Sequence, residues 1–202
     1  MKKYLVIGDP IKHSLSPLIH NYWMNKHGLI DSIYEKKQVG REDLKEIVDQ
    51  VKSGEIKGAN VTVPYKKEII PLLDSIEGGA KSTHSVNTLC KVKNKVFGFN
   101  TDIEGFKNSL TDAHINYKNK NIFILGAGGV TSSILEVFDN TADKIYIMNR
   151  TKEKAEEIKK QRDKLLSLRE HQKSTIEVIE WGMMPKACDI VINTTSVGLR
   201  TN

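Results

Sequence analysis

The chain has 202 residues, of which 39% are hydrophobic, and 31 Lys and Arg against 25 Asp and Glu leave a formal net charge of +6. At roughly 100–200 residues per domain this length holds one large domain or two small ones, and 5 Pro with 14 Gly exclude collagen-like, disordered and low-complexity chains. No run of about 18 apolar residues occurs, and the short run at 4–7 is cut off by Gly8-Asp9-Pro10, so neither a membrane span nor a secretory leader is expected and the chain is read as cytoplasmic. The cations are mostly lysines interleaved with acids, most densely in 151–173, which reads as a solvated helix face laced with ion pairs. With only 6% aromatics, a nucleic-acid surface is not indicated. Cys90 and Cys188 lie far apart without a metal-ligand pattern; they are read as buried thiols, and no metal site is expected.

In chain order, residues 4–7 read as a buried strand, 17–27 as a helix, 33–39 as an alternating strand and 41–52 as a second helix. Residues 59–63 form the next strand, after which Pro64 can open a helix, its missing N–H being unpaired in a first turn anyway. A glycine turn near 78 leads to a hairpin, 88–92 with 96–99, and Thr101 or Asp102 caps a helix to about 110. The polar stretch 111–120 is the best linker candidate. A second, more regular alternation follows. Strand 121–125 ends in GAGGV and a helix to about 140. Strand 144–148 is followed by the charged helix from 152, then strands 175–179 and 189–193. Short links between alternating strands and helices give a parallel, doubly wound sheet, of the α/β class. Four strands fall short of the six of a complete dinucleotide domain. The expected domains are 1–112 and 120–202, the second incomplete.

The chemical signals sit at strand ends. The glycines of 126-GAGG-129 lie between a strand and a helix, where a tight turn and free N–H groups suit a pyrophosphate. The third small position of the fingerprint is Thr131, so the match is imperfect. An NAD site usually carries an acid at the end of the second strand. Here the chain reads Met148-Asn149-Arg150-Thr151, and a guanidinium fork without a neighbouring carboxylate suits the 2′-phosphate of NADP. In the first half, Ser14 and Ser16 precede a helix and suit a carboxylate, with an ordinary cap at Ser16 as the alternative. His13, His20 and His27 recur every seven residues and read as surface-helix positions. Asn60, Thr62 and Lys66 follow one strand end and can project into one crevice. Asp102 stands at another strand-to-helix junction, where it and Lys66 would be a proton-shuttling pair if the fold brought them together.

Taken together, GDPIKHSLSP, NVTVPYK, SVNT, FNTD, GAGG, NRT and NTTSVG resemble the successive signatures of the shikimate dehydrogenase family, in order and at matching spacing across nearly the whole chain. The resemblance implies an N-terminal α/β domain for shikimate and a C-terminal Rossmann domain for NADP(H). It implies Ser14 and Ser16 on the substrate carboxylate, Asn60, Thr62, Asn87 and Asp102 on the ring hydroxyls, and Lys66 with Asp102 as the catalytic pair. On the cofactor side it implies Gly126, Ala127, Gly128, Gly129 and Val130 in the phosphate loop and Asn149, Arg150 and Thr151 at the 2′-phosphate. It also implies that Thr194, Ser196 and Val197 lie near the nicotinamide-side loop. The reaction implied is reversible reduction of 3-dehydroshikimate to shikimate, for aromatic amino-acid synthesis, by a monomer or homodimer. The family pattern continues past Asn202 into further strands and a helical segment returning to the substrate domain, so an incomplete nicotinamide pocket is expected. A quinate/shikimate dehydrogenase using NAD, and a non-catalytic or inactive binding member, are the competing readings.

Overall fold

The structure is a computed structural model that describes residues 1–166, 174–195 and 197. It divides into two compact units, Met1–Thr101 and Asp102–Asn202. In the first, β1 (Lys2–Gly8), α1 (Ser16–Lys26), β2 (Ser32–Gln38), α2 (Leu44–Ser53) and β3 (Ile56–Val61) follow in turn. After them come β4 (Ser75–Ile76), α3 (Gly79–Thr83), β5 (Thr88–Val92) and β6 (Lys95–Phe99). The sheet order is β2-β1-β3-β5-β6-β4. β1 runs parallel to β2 and β3, while β5 is antiparallel to both β3 and β6.

Helix α2 shows why the hydrophobic period was readable: Leu44, Ile47, Val48 and Val51 bury one stripe against Leu5, Ile7, Ala59 and Val61 of the sheet. Its start falls at 44 rather than 41, because Gly40 N–H binds the Asp43 carboxylate at 2.7 Å and closes a turn first. Left-handed Gly54 (φ 86°) ends it. Pro64 opens no helix. Turns run from Val63 to Ile69 and end in a 3-10 turn, Ile70–Leu72. Buried Tyr65 and Ile69 anchor the segment in the core, and Pro71 leaves no room for an uninterrupted helix. Cys90 is half-buried and Cys188 exposed, so the expectation of two buried thiols holds fully at neither.

Helix α1 is unusual in burying no residue: Leu18 is 72% and Trp23 53% exposed. Polar contacts hold it instead. The Asn21 side chain accepts from Tyr34 N–H (2.9 Å) and donates to Tyr34 C=O (2.8 Å), which occupies backbone groups on the outer edge of β2 as a further strand would.

The second unit contains α4 (Asp102–Asp112), β7 (Asn121–Leu125), α5 (Thr131–Phe138), β8 (Lys144–Met148), α6 (Lys152–Leu166), β9 (Thr175–Ile179) and β10 (Ile190–Asn193). Helix α4, expected in the first domain, brings Phe106 and Leu110 into the core of the second, Phe106 edge-on to Phe138 at 5.9 Å. The sheet is wholly parallel, ordered β10-β7-β8-β9. Read from the far edge this is the Rossmann order 3-2-1-4, with β7 as strand 1. Within the segment expected as a solvated face, Ala155, Ile158 and Arg162 are buried. Arg162 pairs with Asp139, at the end of α5.

Asp74 gives the first unit an acid-sensitive tie. It accepts from Val96 N–H at 2.7 Å and pairs with Lys52 at 3.2 Å, and these donors, Val96 first, hold its carboxyl below the usual range. A lowered native pKa stabilises above the unfolded value, about pH 4, and that stabilisation disappears as pH falls through the native value. The deficit of Asp74→Ala in thermal midpoint is therefore constant from pH 7 to about 5 and shrinks below pH 4; a deficit that does not change with pH would refute the assignment.

Candidate functional site

Ligands of α/β sheets bind at the carboxyl ends of parallel strands. In the first unit that edge gathers the ends of β1 and β3 and, because β5 is antiparallel with Asn60 opposite Thr88, the start of β5 and the end of β6. The chain leaves β1 tightly against β3. Asp9 N–H donates to Val63 C=O (3.0 Å), Thr62 N–H to Ile7 C=O (2.9 Å), and a Cβ on Gly8 would lie 2.6 Å from Thr62 Cγ2. Only glycine permits that approach. The loop that follows carries Ser14 and Ser16. Lys36 Nζ holds it at Lys12 C=O (2.5 Å) and Gln38 at the Asp9 carboxylate (2.8 Å). Ser16 N–H donates to Ser14 Oγ at 3.3 Å, and Leu15 rather than Ser16 occupies the cap position, without a side-chain bond. Both serines are half-buried at the head of α1.

Asn60 is clamped on three sides. Its Nδ2 donates to Asn87 C=O (3.2 Å) and Thr88 Oγ1 (3.0 Å), and its Oδ1 accepts from the Tyr34 hydroxyl at 2.6 Å. Asn87 is buried; its Oδ1 accepts from Thr101 N–H (3.0 Å) and Thr88 Oγ1 (2.9 Å). The turn 62–65 fixes the backbone before Lys66: Tyr65 N–H donates to Thr62 C=O, and the Tyr65 hydroxyl to Val39 C=O at 2.8 Å. Lys66 is half-buried, and its carbonyl accepts from Val86 N–H at 2.8 Å. Asn60, Thr62, Lys66 and Asn87 thus lie on one sheet edge. Asp102 opens α4 in the second unit. Sequence reasoning missed Tyr34, Thr88, Thr101 and Asn100, whose amide donates to Thr83 Oγ1 and Ser85 C=O. Thr88, Asn100 and Thr101 lie inside the SVNT and FNTD motifs, but nothing in the sequence pairs them, or Tyr34, with partners 14 to 28 residues distant.

In the second unit β7 and β10 are neighbours, which makes the gap between them the switch point where dinucleotides bind. Gly126 has φ +112°, and a Cβ there would lie 2.5 Å from Thr194 Oγ1. Thr131 supplies what the imperfect fingerprint lacks. Fully buried, its hydroxyl accepts from Gly128 N–H (3.1 Å), reaches Gly126 C=O (3.3 Å) and meets Thr194 Oγ1 at 3.0 Å. Asn149 joins two loops, accepting from Ala127 N–H (3.1 Å) and donating to Thr151 C=O (2.7 Å). Arg150 is exposed just past β8. Gly129 and Val130 complete the turn into α5, and Val197 is exposed, its N–H on Thr195 Oγ1. Ser196 lies outside the described residues. Among the described residues no His, Cys, Asp or Glu cluster suits a metal ion. The residues fit a dinucleotide: space around Gly128, where an added Cβ would meet nothing nearer than 3.9 Å, opens at a helix N-terminus, and the exposed Arg150 guanidinium past β8 has the chemistry to hold a phosphate.

Gly126→Ala tests the loop. An L-side chain at this φ, driven into Thr194, costs about 1–3 kcal/mol, read as a lower urea midpoint together with weaker nucleotide binding; an unchanged midpoint would show that the turn relaxes.

Fold and site first define a class: an α/β protein whose second unit is a Rossmann-ordered sheet with a glycine loop at its switch point, joined to an α/β unit of separate topology. Residues 6–89 match the profile of the shikimate dehydrogenase substrate binding domain, and residues 109–198 that of shikimate / quinate 5-dehydrogenase. Shikimate dehydrogenase (NADP(+)) of Pelagibacter ubique is 46% identical over 200 residues, which cover 98% of this chain and 71% of that protein. The crystal structure of shikimate dehydrogenase from Aquifex aeolicus superposes with a TM-score of 0.84 at 36% identity, covering 99% of this chain and 71% of that one. The Thermus thermophilus shikimate 5-dehydrogenase, solved in complex with NADP(H) and shikimate, gives 0.81 at 26% identity over 98% and 70%. The chain belongs to the shikimate dehydrogenase family.

Proposed function

We propose that the protein interconverts 3-dehydroshikimate and shikimate with NADP(H), as a cytoplasmic enzyme. What carries the reading is the make-up of the first unit's carboxyl edge: amides and hydroxyls suited to a polyol ring (Asn60, Thr62, Asn87), two serines suited to a carboxylate, and Lys66. A bound nicotinamide would give or take the hydride. The protein's part is electrostatic and positional. When the ketone is reduced, charge develops on its oxygen, and the Lys66 ammonium stabilises it and delivers the proton; in oxidation the neutral amine takes that proton back. We assign Asp102 the role of accepting from a substrate hydroxyl, and Ser14 and Ser16 that of binding the carboxylate. In the second unit we assign the phosphates to residues 126–130, the 2′-phosphate to Arg150 with Asn149 and Thr151 shaping its loop, and the nicotinamide side to Thr194, Ser196 and Val197.

Arg150 without a strand-end acid favours NADP over the NAD-using quinate/shikimate alternative. The test is shikimate oxidation by the purified chain, followed at 340 nm with NADP+ and with NAD+, beside calorimetric titration of shikimate. Turnover at least tenfold faster with NADP+ is expected. A folded chain that binds both ligands and turns neither over would sink the enzymatic reading and leave a binding protein.

A further inference from the structure

We propose that Tyr34 is a positioning and specificity residue: it holds Asn60 as a pure hydrogen-bond acceptor, so that the site demands a hydroxyl donor at one ring carbon of its substrate. The inference rests on the shikimate reading of this edge. An amide has two donors and two acceptor lone pairs, and its orientation follows from its partners. Asn87 C=O can only accept, so the amide nitrogen must face it, at 3.2 Å; the second N–H goes to Thr88 Oγ1. Oδ1 then faces the Tyr34 hydroxyl at 2.6 Å, which must donate. Both donors are used. Among the described residues only the second lone pair of Oδ1 has no protein partner. An ether, ketone or fluorine at that ring position brings acceptor against acceptor, whereas a hydroxyl completes the set.

Tyr34 is built for this. It is 4% exposed, its ring stacks on His20 (4.2 Å between centroids, 11° between planes), and Asn21 grips its backbone from the same helix. Burial raises the phenol's pKa above its ordinary value, so the hydroxyl remains a donor across the working pH range. The tyrosine thereby ties the helix whose head carries Ser14 and Ser16 to the amide at the end of β3.

Tyr34→Phe keeps the ring, the stack and the backbone grip and removes only the donor. Calorimetric titration of the full chain with shikimate and its 3-, 4- and 5-deoxy analogues should show affinity for shikimate falling about tenfold, with NADP+ affinity within twofold. One deoxy analogue should bind the variant and wild type equally, and Asn60→Ala should single out the same analogue. Shikimate affinity within twofold of wild type, or a loss equal across all three analogues, would overturn the proposal, the latter by showing a merely structural role. Wild type gives an independent check if the variant does not fold: the fluoro analogue at one ring carbon must bind at least tenfold worse than shikimate, and three fluoro analogues binding as well as the parent would refute acceptor-only recognition. Wild type that binds NADP+ but no shikimate overturns the functional reading, and this inference with it.

Discussion

Lys66→Ala lowers the rate of shikimate oxidation with NADP+ by about 10²–10⁴-fold, the usual worth of a positioned acid–base group, while shikimate affinity falls less than tenfold. The expectation follows from how the lysine is mounted. Its backbone is held by contacts that do not involve its side chain: Thr62 N–H on Ile7, Tyr65 N–H on Thr62, the Tyr65 hydroxyl on Val39, and Val86 N–H on the Lys66 carbonyl itself. Truncation therefore removes a charge and a proton without dismantling the edge that carries Asn60 and Asn87. Steady-state kinetics beside calorimetry separate the two effects. Lys66→Arg sharpens the test, since a guanidinium keeps the positive charge but does not release its proton in a protein. If proton transfer is the role, arginine rescues little of the rate; if charge alone suffices, it rescues most. Turnover near wild type in the alanine variant removes Lys66 from the chemistry.

The sequence revealed most where one physical constraint acts along the chain. Strands 121–125, 144–148 and 175–179 fall at the expected residues: the first two are apolar runs covered on both faces, so the run itself is the signal, and the third, at the sheet edge, alternates exposed Thr175 and Glu177 with buried Ile176. The hairpin 88–92 with 96–99 was equally plain. Short elements that depend on tertiary partners were not. β4 is two residues pairing with β6, and α3 is five residues whose Ala80 and Thr83 are buried; neither is long enough to show a period. At the candidate site, glycines and charged residues could be singled out because their chemistry is local. Thr131 looked like a defect in the glycine pattern and is instead the hydroxyl that joins Gly126, Gly128 and Thr194. Tyr34 looked like one apolar residue of an alternating strand, since nothing within β2 indicates that its hydroxyl meets Asn60. Arg162 was hidden by its neighbours: in a helix of lysines and glutamates, one buried cation looks like the rest.

That arginine carries the largest stability effect expected in the second unit. Its guanidinium is 8% exposed and pairs with Asp139, 5% exposed, at the end of α5, while Nη1 donates to Ser174 C=O at 3.2 Å. The Ser174 hydroxyl in turn reaches Phe138 C=O (3.1 Å) and Ala142 C=O (2.7 Å). Helix α5, helix α6 and the residue leading into β9 are therefore tied at one point. Burial lowers the arginine's pKa, and the nearby carboxylates of Asp163 and Glu136 oppose that shift. Even so, an arginine stays charged in proteins, so removing Asp139 takes away the carboxylate in direct contact with a buried cation. Asp139→Ala should cost about 3–5 kcal/mol, the penalty for breaking a buried pair by deleting one partner, and urea denaturation followed by circular dichroism measures it. The intact pair is not for that reason a large net stabiliser, because desolvation offsets most of the attraction. The double variant Asp139→Leu with Arg162→Met should accordingly recover most of the loss, and its deviation from the sum of the single variants gives the coupling between the two charges. A single-variant cost below about 1 kcal/mol, the range of a surface pair, would mean that water reaches the arginine. A double variant as unstable as the sum of its parts would mean that Arg162 acts through Ser174 rather than through Asp139.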